Sequence, residues 1–463
     1  MQSDESARWQ LVHEDREAVI AALARGECEG IVPAACGFLD EFGQFCDEID
    51  LLGLLELLPD NRSRVSIPAA FFGNLLVHKQ LLRIPSLAEM GRVLFRSPAL
   101  LHQFGFNWRQ VNEGFYNCGG RKPFNEEAVA DFFARIDREG LWQFQLRLLA
   151  QLLGRCPELA GEGTLMMDCI QVSVPAGHRG REAGSYKACV LVGYREGCIY
   201  PLLCRFGEEH SSERELGKQV MRALLKLAPG RQWTLLVDRG YIDGEWLGTL
   251  KRQGVDVVIG VRGDMHLYED ALGLARLEGT KWTRVAAPKY HNGERPKRYV
   301  TGWQGLQTWE SCPLPLAAVV IKDRFSDRTK HHVVVSTAKL SARELHEQFR
   351  KRWEIEEGFM ELTRYWNLDQ LGSCRHEVYL AQVYFTLLAY ALLRLFADRH
   401  DDGPPDLALT PGRELTVYWG DCYAILLPSE LFETVLANFD RWRTNQQRLL
   451  EAMRYCEGRP PPR

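Results

Sequence analysis

The chain has no excess of positive charge: 57 basic residues against 61 acidic ones leave a formal net charge of −4. A global polycation is therefore excluded, and any surface for a polyanion must be a local basic face. The thirteen cysteines form no CxxC pair and no Cys/His cluster at zinc spacing. That excludes a zinc finger and a disulfide framework, and it fits a reducing cytoplasm. The opening residues, MQSDESARWQLVHEDREAVI, are polar and acidic, so a secretory signal is not expected. One stretch alone, YLAQVYFTLLAYALLRLFA (379–397), approaches membrane-spanning length, and Gln382 and Arg394 interrupt it. A helix buried in a globular core is the better reading, with no membrane partner. No internal repeat is found. What is plentiful is apolar content, 46% of 463 residues, enough for a sizeable core shared among two to four units.

Periodicity changes along the chain. Residues 1 to about 155 read as helices, with apolar residues every three or four positions in GFLDEFGQFCDEIDLLGLLELL and FNEEAVADFFARIDREGLWQFQLRLLAQLL. Breaks are expected where Pro, Gly and Asn cluster, in LPDNRSRVSIP and YNCGGRKPFN. From 164 onward strands take over: TLMMDCIQVSV, then YKACVLVGYREGCIYPLLCRF as two strands joined by a tight turn at Glu196-Gly197. A helix opened by Ser211 or Ser212 follows, then the strand WTLLVD, the helix DGEWLGTLKRQG and the strand VDVVIGVR. Residues 265–340 are β-rich, and SARELHEQFRKRWEIEEGFMEL reads as one strong helix with Ser341 and Glu344 as a capping box. The sum is an α/β protein: a mixed sheet flanked by helices, an all-helical N-terminal domain and a β-rich insertion. The boundaries read as 1–160, 161–264, 265–340, 341–400 and a C-terminal helical region, 401–463.

Three acids stand where such a core concentrates chemistry. Asp168 interrupts an apolar strand, where a carboxylate without a partner is costly. Asp238 ends TLLVD, and ligand sites in α/β sheets favour the carboxyl ends of strands. The third is among the glutamates of FRKRWEIEEGFMEL (349–362). A charged helix is ordinarily a solvated face laced with i,i+4 ion pairs. However, Arg352 and Glu356 share one face, while Glu354 and Glu357 point away from it. Several carboxylates held close together call for a cation, and Mg²⁺ prefers carboxylate oxygens and water.

The strand-borne DRGY followed far downstream by F-x-x-R-W-x-I-E-x-x-F resembles the DDE transposases of bacterial insertion sequences. The group concerned carries a Tyr-x2-Arg-x3-Glu-x6-Lys signature on a ribonuclease-H-like core. Phe349, Arg352 and Glu356 take its first three positions, with Phe replacing the Tyr. Thr363 stands where the Lys belongs, with Arg364 beside it. The resemblance covers about 160–400, and the N-terminal helices are more loosely similar to a DNA-recognition region.

The resemblance implies that Asp168, Asp238 and Glu356 are the catalytic acids and the ligands of two Mg²⁺ ions, with Mn²⁺ able to substitute. It implies cleavage of double-stranded DNA at terminal inverted repeats and joining of the 3′-OH ends to target DNA, by a homodimer that pairs the ends. Residues implied in DNA contact are Arg239 and Tyr241 beside the second acid, Lys297 and Arg298 in GERPKRY, Trp303, Phe349, Arg352 and Arg364. Trp303 or Trp309 is the candidate for taking up a flipped base. Further basic clusters lie at Arg295, at Arg324, Arg328 and Lys330, and at Arg350 and Lys351. The chain is expected in the bacterial cytoplasm, at the nucleoid when bound to DNA. Two other readings compete: a nuclease of the same core that cuts without joining, and a domesticated DNA-binding protein that has lost catalysis. A Mg²⁺-dependent phosphatase would explain neither the N-terminal helices nor the insertion.

Overall fold

The computed structural model of the chain describes residues 38–399, apart from residues 64, 66, 96–113, 118, 119, 123, 178–180 and 288–294. The expected C-terminal helical region and the first 37 residues lie outside the described part. In chain order the elements begin with α1 (Phe38–Glu48), α2 (Leu51–Leu55), α3 (Ala69–Leu81), α4 (Leu87–Val93), β1 (Phe115–Asn117), β2 (Gly120–Lys122), α5 (Glu126–Phe133) and α6 (Arg138–Arg155). Next come β3 (Thr164–Val174), β4 (Gly184–Arg195), β5 (Cys198–Glu208), α7 (Glu213–Leu227), β6 (Trp233–Val237), α8 (Gly244–Arg252), β7 (Val255–Gly260) and α9 (His266–Ala275). The last are β8 (Thr283–Val285), β9 (Lys297–Leu306), β10 (Leu316–Arg324), β11 (Thr329–Ser336), α10 (Ala342–Lys351), α11 (Trp353–Trp366) and α12 (His376–Arg399). The described residues divide into two compact units. One is built from residues up to Gln151, Val174–Gly184 and those from Leu362 on; the other from Leu152–Ser173 and Ser185–Glu361.

The first unit is helical. Ser86 and Asn125 cap α4 and α5 by accepting the backbone N–H of Glu89 and Ala128, which satisfies donors a helix start leaves orphaned. At the unit's centre is α12, the apolar run that sequence places in a core. It is long and apolar enough to cross a membrane by composition, yet its apolar window is 94% buried within the protein. Helices α1, α3 and α5 pack on it, and Phe133 and Phe396 make edge contacts there, at 5.4 Å with Phe385 and 5.8 Å with Phe42. Where a break is expected around YNCGGRKPFN, β1 pairs antiparallel with β2, Phe115 opposite Lys122.

The second unit is one nine-stranded sheet in the order β5-β4-β3-β6-β7-β11-β10-β9-β8. Strands β3, β6 and β7 run parallel. Numbered by appearance, the first five strands lie 3-2-1-4-5, the order of a ribonuclease-H-like core. Leu165, Met166, Met167, Leu235, Leu236, Val237, Val257, Val258 and Ile259 are all buried, the unbroken apolar pattern of strands covered on both faces. Helix α7, capped by Ser212, buries Leu216, Val220, Met221 and Leu224. Gly217 sets its approach: a Cβ there would come within 2.7 Å of the Met167 methyl. The β4–β5 turn uses Glu196 and Gly197 at φ 50° and 85°, the left-handed pair that a tight two-residue hairpin requires.

Three expectations change. The β-rich segment extends the core sheet, because β11 pairs antiparallel with β7 (Ser336 opposite Val258). The helix expected over 341–362 is two: the Ser341–Glu344 capping box starts α10, and the ladder tightens at Arg352, whose N–H bonds Phe349 O while its own O accepts from Ile355. Helix α12, expected with the catalytic core, belongs to the helical unit.

Candidate active site

Strand register brings the first two acids together. Parallel pairing matches Thr164–Met167 of β3 with Thr234–Val237 of β6. One step further sets Asp168 beside Asp238, on adjacent strands about 4.8 Å apart and on the same face. Asp168 is half-buried and accepts the backbone N–H of Cys169 at 2.8 Å. Burial first, then the charges of Asp238 and Glu356, push its carboxyl up to about 6, against the opposing pull of the Cys169 N–H and the Arg352 guanidinium. Asp238 caps a single 3₁₀ turn, Arg239–Tyr241, and accepts the Gly240 N–H at 2.7 Å. Glycine is needed there for space rather than for a left-handed φ, since a Cβ would stand 2.9 Å from Asp238 Oδ1.

Glu356 lies in the first turn of α11, and Arg352 Nη2 donates to its Oε1 at 2.5 Å. The Arg352 guanidinium in turn lies 5.8 Å from the centre of the Phe349 ring, whose edge rests 3.5 Å from where a Cβ of Gly260 would be. So Arg352 is held between the Phe349 ring and Glu356, whose carboxylate it orients. Glu354 is half-buried with its carboxyl raised by burial and by Glu357, and Glu357 is exposed.

Among the described residues no three His, Cys, Asp or Glu side chains are gathered closely enough to hold a metal ion; Glu356 is turned to Arg352. The chemistry of the donors still fits a hard dication. Three carboxylates interact strongly enough that Asp238 and Glu356 both oppose the ionisation of Asp168, and a divalent cation with oxygen preference relieves that repulsion.

The remaining sequence-assigned residues separate. Tyr241 is 0% exposed, its hydroxyl 3.2 Å from Cys169 Sγ and 3.7 Å from Cys189 Sγ; it is a core residue, not a DNA contact. Arg298 is spent on Asp323, which accepts both Nε and Nη2 at 2.7 Å while 0% exposed, so it too is structural. Arg239, Lys297 and Arg364 are exposed, as are Thr363 and the Arg324, Arg328 and Lys330 group. Trp303 and Trp309 are half-buried. The structure also joins two basic clusters that are distant in sequence: Arg295 and Lys297 line one cleft of about 750 Å³ with Arg350 and Lys351. Sequence reading missed the Lys187–Glu213 ion pair (3.2 Å), whose Glu213 lies 3.6 Å from a Cβ placed on Gly240. Nothing local in the sequence joins β4 to α7.

The fold is a ribonuclease-H-like core, with Asp168 and Asp238 on adjacent strands and Glu356 on a helix within electrostatic reach of Asp168. Residues 167–392, which span all three acids, match the family model of the transposase DDE domain. Over that stretch the chain is similar to the DDE transposases. A solved piggyBac transposase synaptic complex with hairpin DNA is similar at 10% identity and a TM-score of 0.43, over 89% of this chain and 86% of that one; a likeness that slight carries no argument. No curated protein matches the chain.

Proposed function

We propose that this protein is a DNA transposase that cuts at the terminal inverted repeats of a mobile element and joins the freed 3′-OH ends to target DNA. The observation that carries the reading is the register of β3 on β6, which sets Asp168 beside Asp238 within electrostatic reach of Glu356, inside a transposase DDE domain. Two Mg²⁺ ions on these carboxylates, with Mn²⁺ able to replace them, would supply the charge that activates the attacking oxygen and stabilises the leaving one. The chain's own residues prepare that chemistry. The Gly240 and Cys169 N–H groups orient Asp238 and Asp168, and Arg352 fixes the direction of Glu356 along its helix. Exposed Arg239, Lys297 and Arg364 are placed to neutralise phosphates, and such binding weakens steeply with salt. Half-buried Trp303 and Trp309 are the candidates for receiving an unstacked base. Pairing two element ends requires two copies of the chain, acting at the nucleoid.

The test uses the purified chain, Mg²⁺ and a duplex carrying the inverted repeat that flanks its coding region. Wild type should cleave the end and transfer pre-cleaved ends to a target. Asp168→Asn, Asp238→Asn and Glu356→Gln should each lower both activities by at least about 10³-fold, as expected where residues act as a unit, while leaving DNA binding intact. Cleavage without joining would identify a plain nuclease, and binding without cleavage a lapsed one. Undiminished cleavage by Asp168→Asn would sink the assignment of the acids.

A further inference from the structure

The cleft lined by β8, the run into β9 and α10 holds a histidine that the active site does not use. His346, on α10, is 4% exposed, and neither ring nitrogen has a hydrogen-bond partner in the protein. Burying an imidazole with both nitrogens unpaired is costly, so the geometry wants a ligand there. Its surroundings indicate which chemistry. His346 shares the cleft, of about 750 Å³, with Arg284, Arg295, Lys297, Arg350 and Lys351. The opposing acids are few: Glu347 is ion-paired to Arg343 at 3.0 Å, and Glu354 lines the cleft under the pull of the Arg350 charge. The charged groups acting on the imidazole are Arg298 from β9, Arg350 and Glu347 from α10 and Asp323 from β10. Arg298 and Asp323 cancel one another in their two-fold hydrogen bond, so what remains is a cationic cleft with an unpaired donor in its wall.

We propose that this cleft is a phosphate subsite, in which His346 and the Arg and Lys side chains around it hold a backbone phosphate of a DNA strand. The phosphate chemistry follows from the cleft itself; that the phosphate belongs to DNA rests on the transposase reading. Burial and the Arg298 and Arg350 charges hold the imidazole down to about 4, so without an anion beside it the ring is neutral. A bound anion reverses the local field and favours the imidazolium, which then donates from both nitrogens. The proton comes from solvent. Because the bound state binds that proton more tightly than the free state, affinity must rise as pH falls from 8 towards 6.

The experiment is fluorescence anisotropy of a labelled oligonucleotide, single-stranded in one arm and duplex in another, with the full chain in EDTA at fixed salt, and with inorganic phosphate as competitor. His346→Leu should weaken oligonucleotide binding about tenfold at pH 6, less at pH 8, and flatten the pH dependence; His346→Gln, which keeps a neutral donor, should flatten it with a smaller loss. Lys297→Gln combined with Arg350→Gln should lower the salt slope by about two, and it decides the matter should both His346 variants fail to fold by thermal melting. Inorganic phosphate should displace the oligonucleotide from wild type and do so less well from His346→Gln. Unchanged affinity and pH slope in a folded His346 variant, or an unchanged salt slope in the double variant, overturns the subsite. Asp168→Asn separates the two readings. If it cleaves like wild type while the His346 effects stand, the active-site assignment fails and the subsite survives. If it binds without cleaving while the His346 effects are absent, the subsite alone fails.

Discussion

The β9–β10 ladder and the middle of β3 both take a carboxylate out of water, and they treat it in opposite ways. Asp323 is 0% exposed and accepts two hydrogen bonds from one guanidinium, that of Arg298 across the strand pair. Its charge is cancelled by geometry internal to the sheet. Asp168 is half-buried and faces the charges of two further acids, relieved by the Cys169 backbone N–H and the Arg352 charge, and its carboxyl rises to about 6. A fold that can build the first arrangement has no need of the second for its own stability. The contrast sets Asp323 apart as architecture and supports the proposal that Asp168 and its neighbouring acids form a site. Lys79 in the helical unit supplies a third case: 0% exposed, without a partner for its ammonium, and pushed down to about 7 by burial alone.

The comparison breaks most sharply at the cancelled pair. Asp323→Ala leaves Arg298 buried and uncompensated, and should destabilise the chain by about 3–5 kcal/mol in denaturant unfolding; a loss under 1 kcal/mol would show that the pair is solvated. Lys79→Met should stabilise by about 3 kcal/mol at pH 7. The folded ammonium's value lies below its unfolded one, so wild-type stability should rise as pH climbs from 7 towards 10, and melts across that range should show the variant's advantage shrinking. Asp168→Asn should also stabilise, by about 2 kcal/mol at pH 8. Here the folded value is raised, so the wild type is at its best below pH 4 and weakens as pH rises through 6; the difference in melting temperature should vanish near pH 4. A stabilised yet inactive protein is the expected signature of a strained functional group. Smallest is Ser341→Ala, which removes half of a capping box and should cost about 1 kcal/mol. A larger loss would mean that α10 is held chiefly by its start.

Much of the local structure is legible in the residues. Ser212 and the Ser341–Glu344 pair announce their helices, Glu196-Gly197 announces a hairpin, and TLMM and TLLV announce strands covered on both sides, because capping and turn conformations depend on neighbours within a few positions. The i,i+4 spacing of Arg352 and Glu356 likewise foretells their ion pair. Tyr241 and Arg298 were not legible. Each looks like a free polar side chain in its own segment, and only partners far along the chain, Cys169 and Cys189 for one and Asp323 for the other, remove it from the surface.

By itself, the order of amino acids determined where several helices and strands begin, which acids interrupt apolar runs, and that any polyanion surface had to be local. Tertiary structure alone decided that Asp168 meets Asp238, that β8–β11 extend the core sheet, and that two basic clusters share the cleft walled by His346. The reason is physical: strand register and the cancellation of charge are settled between segments remote in sequence, at distances that no local pattern encodes.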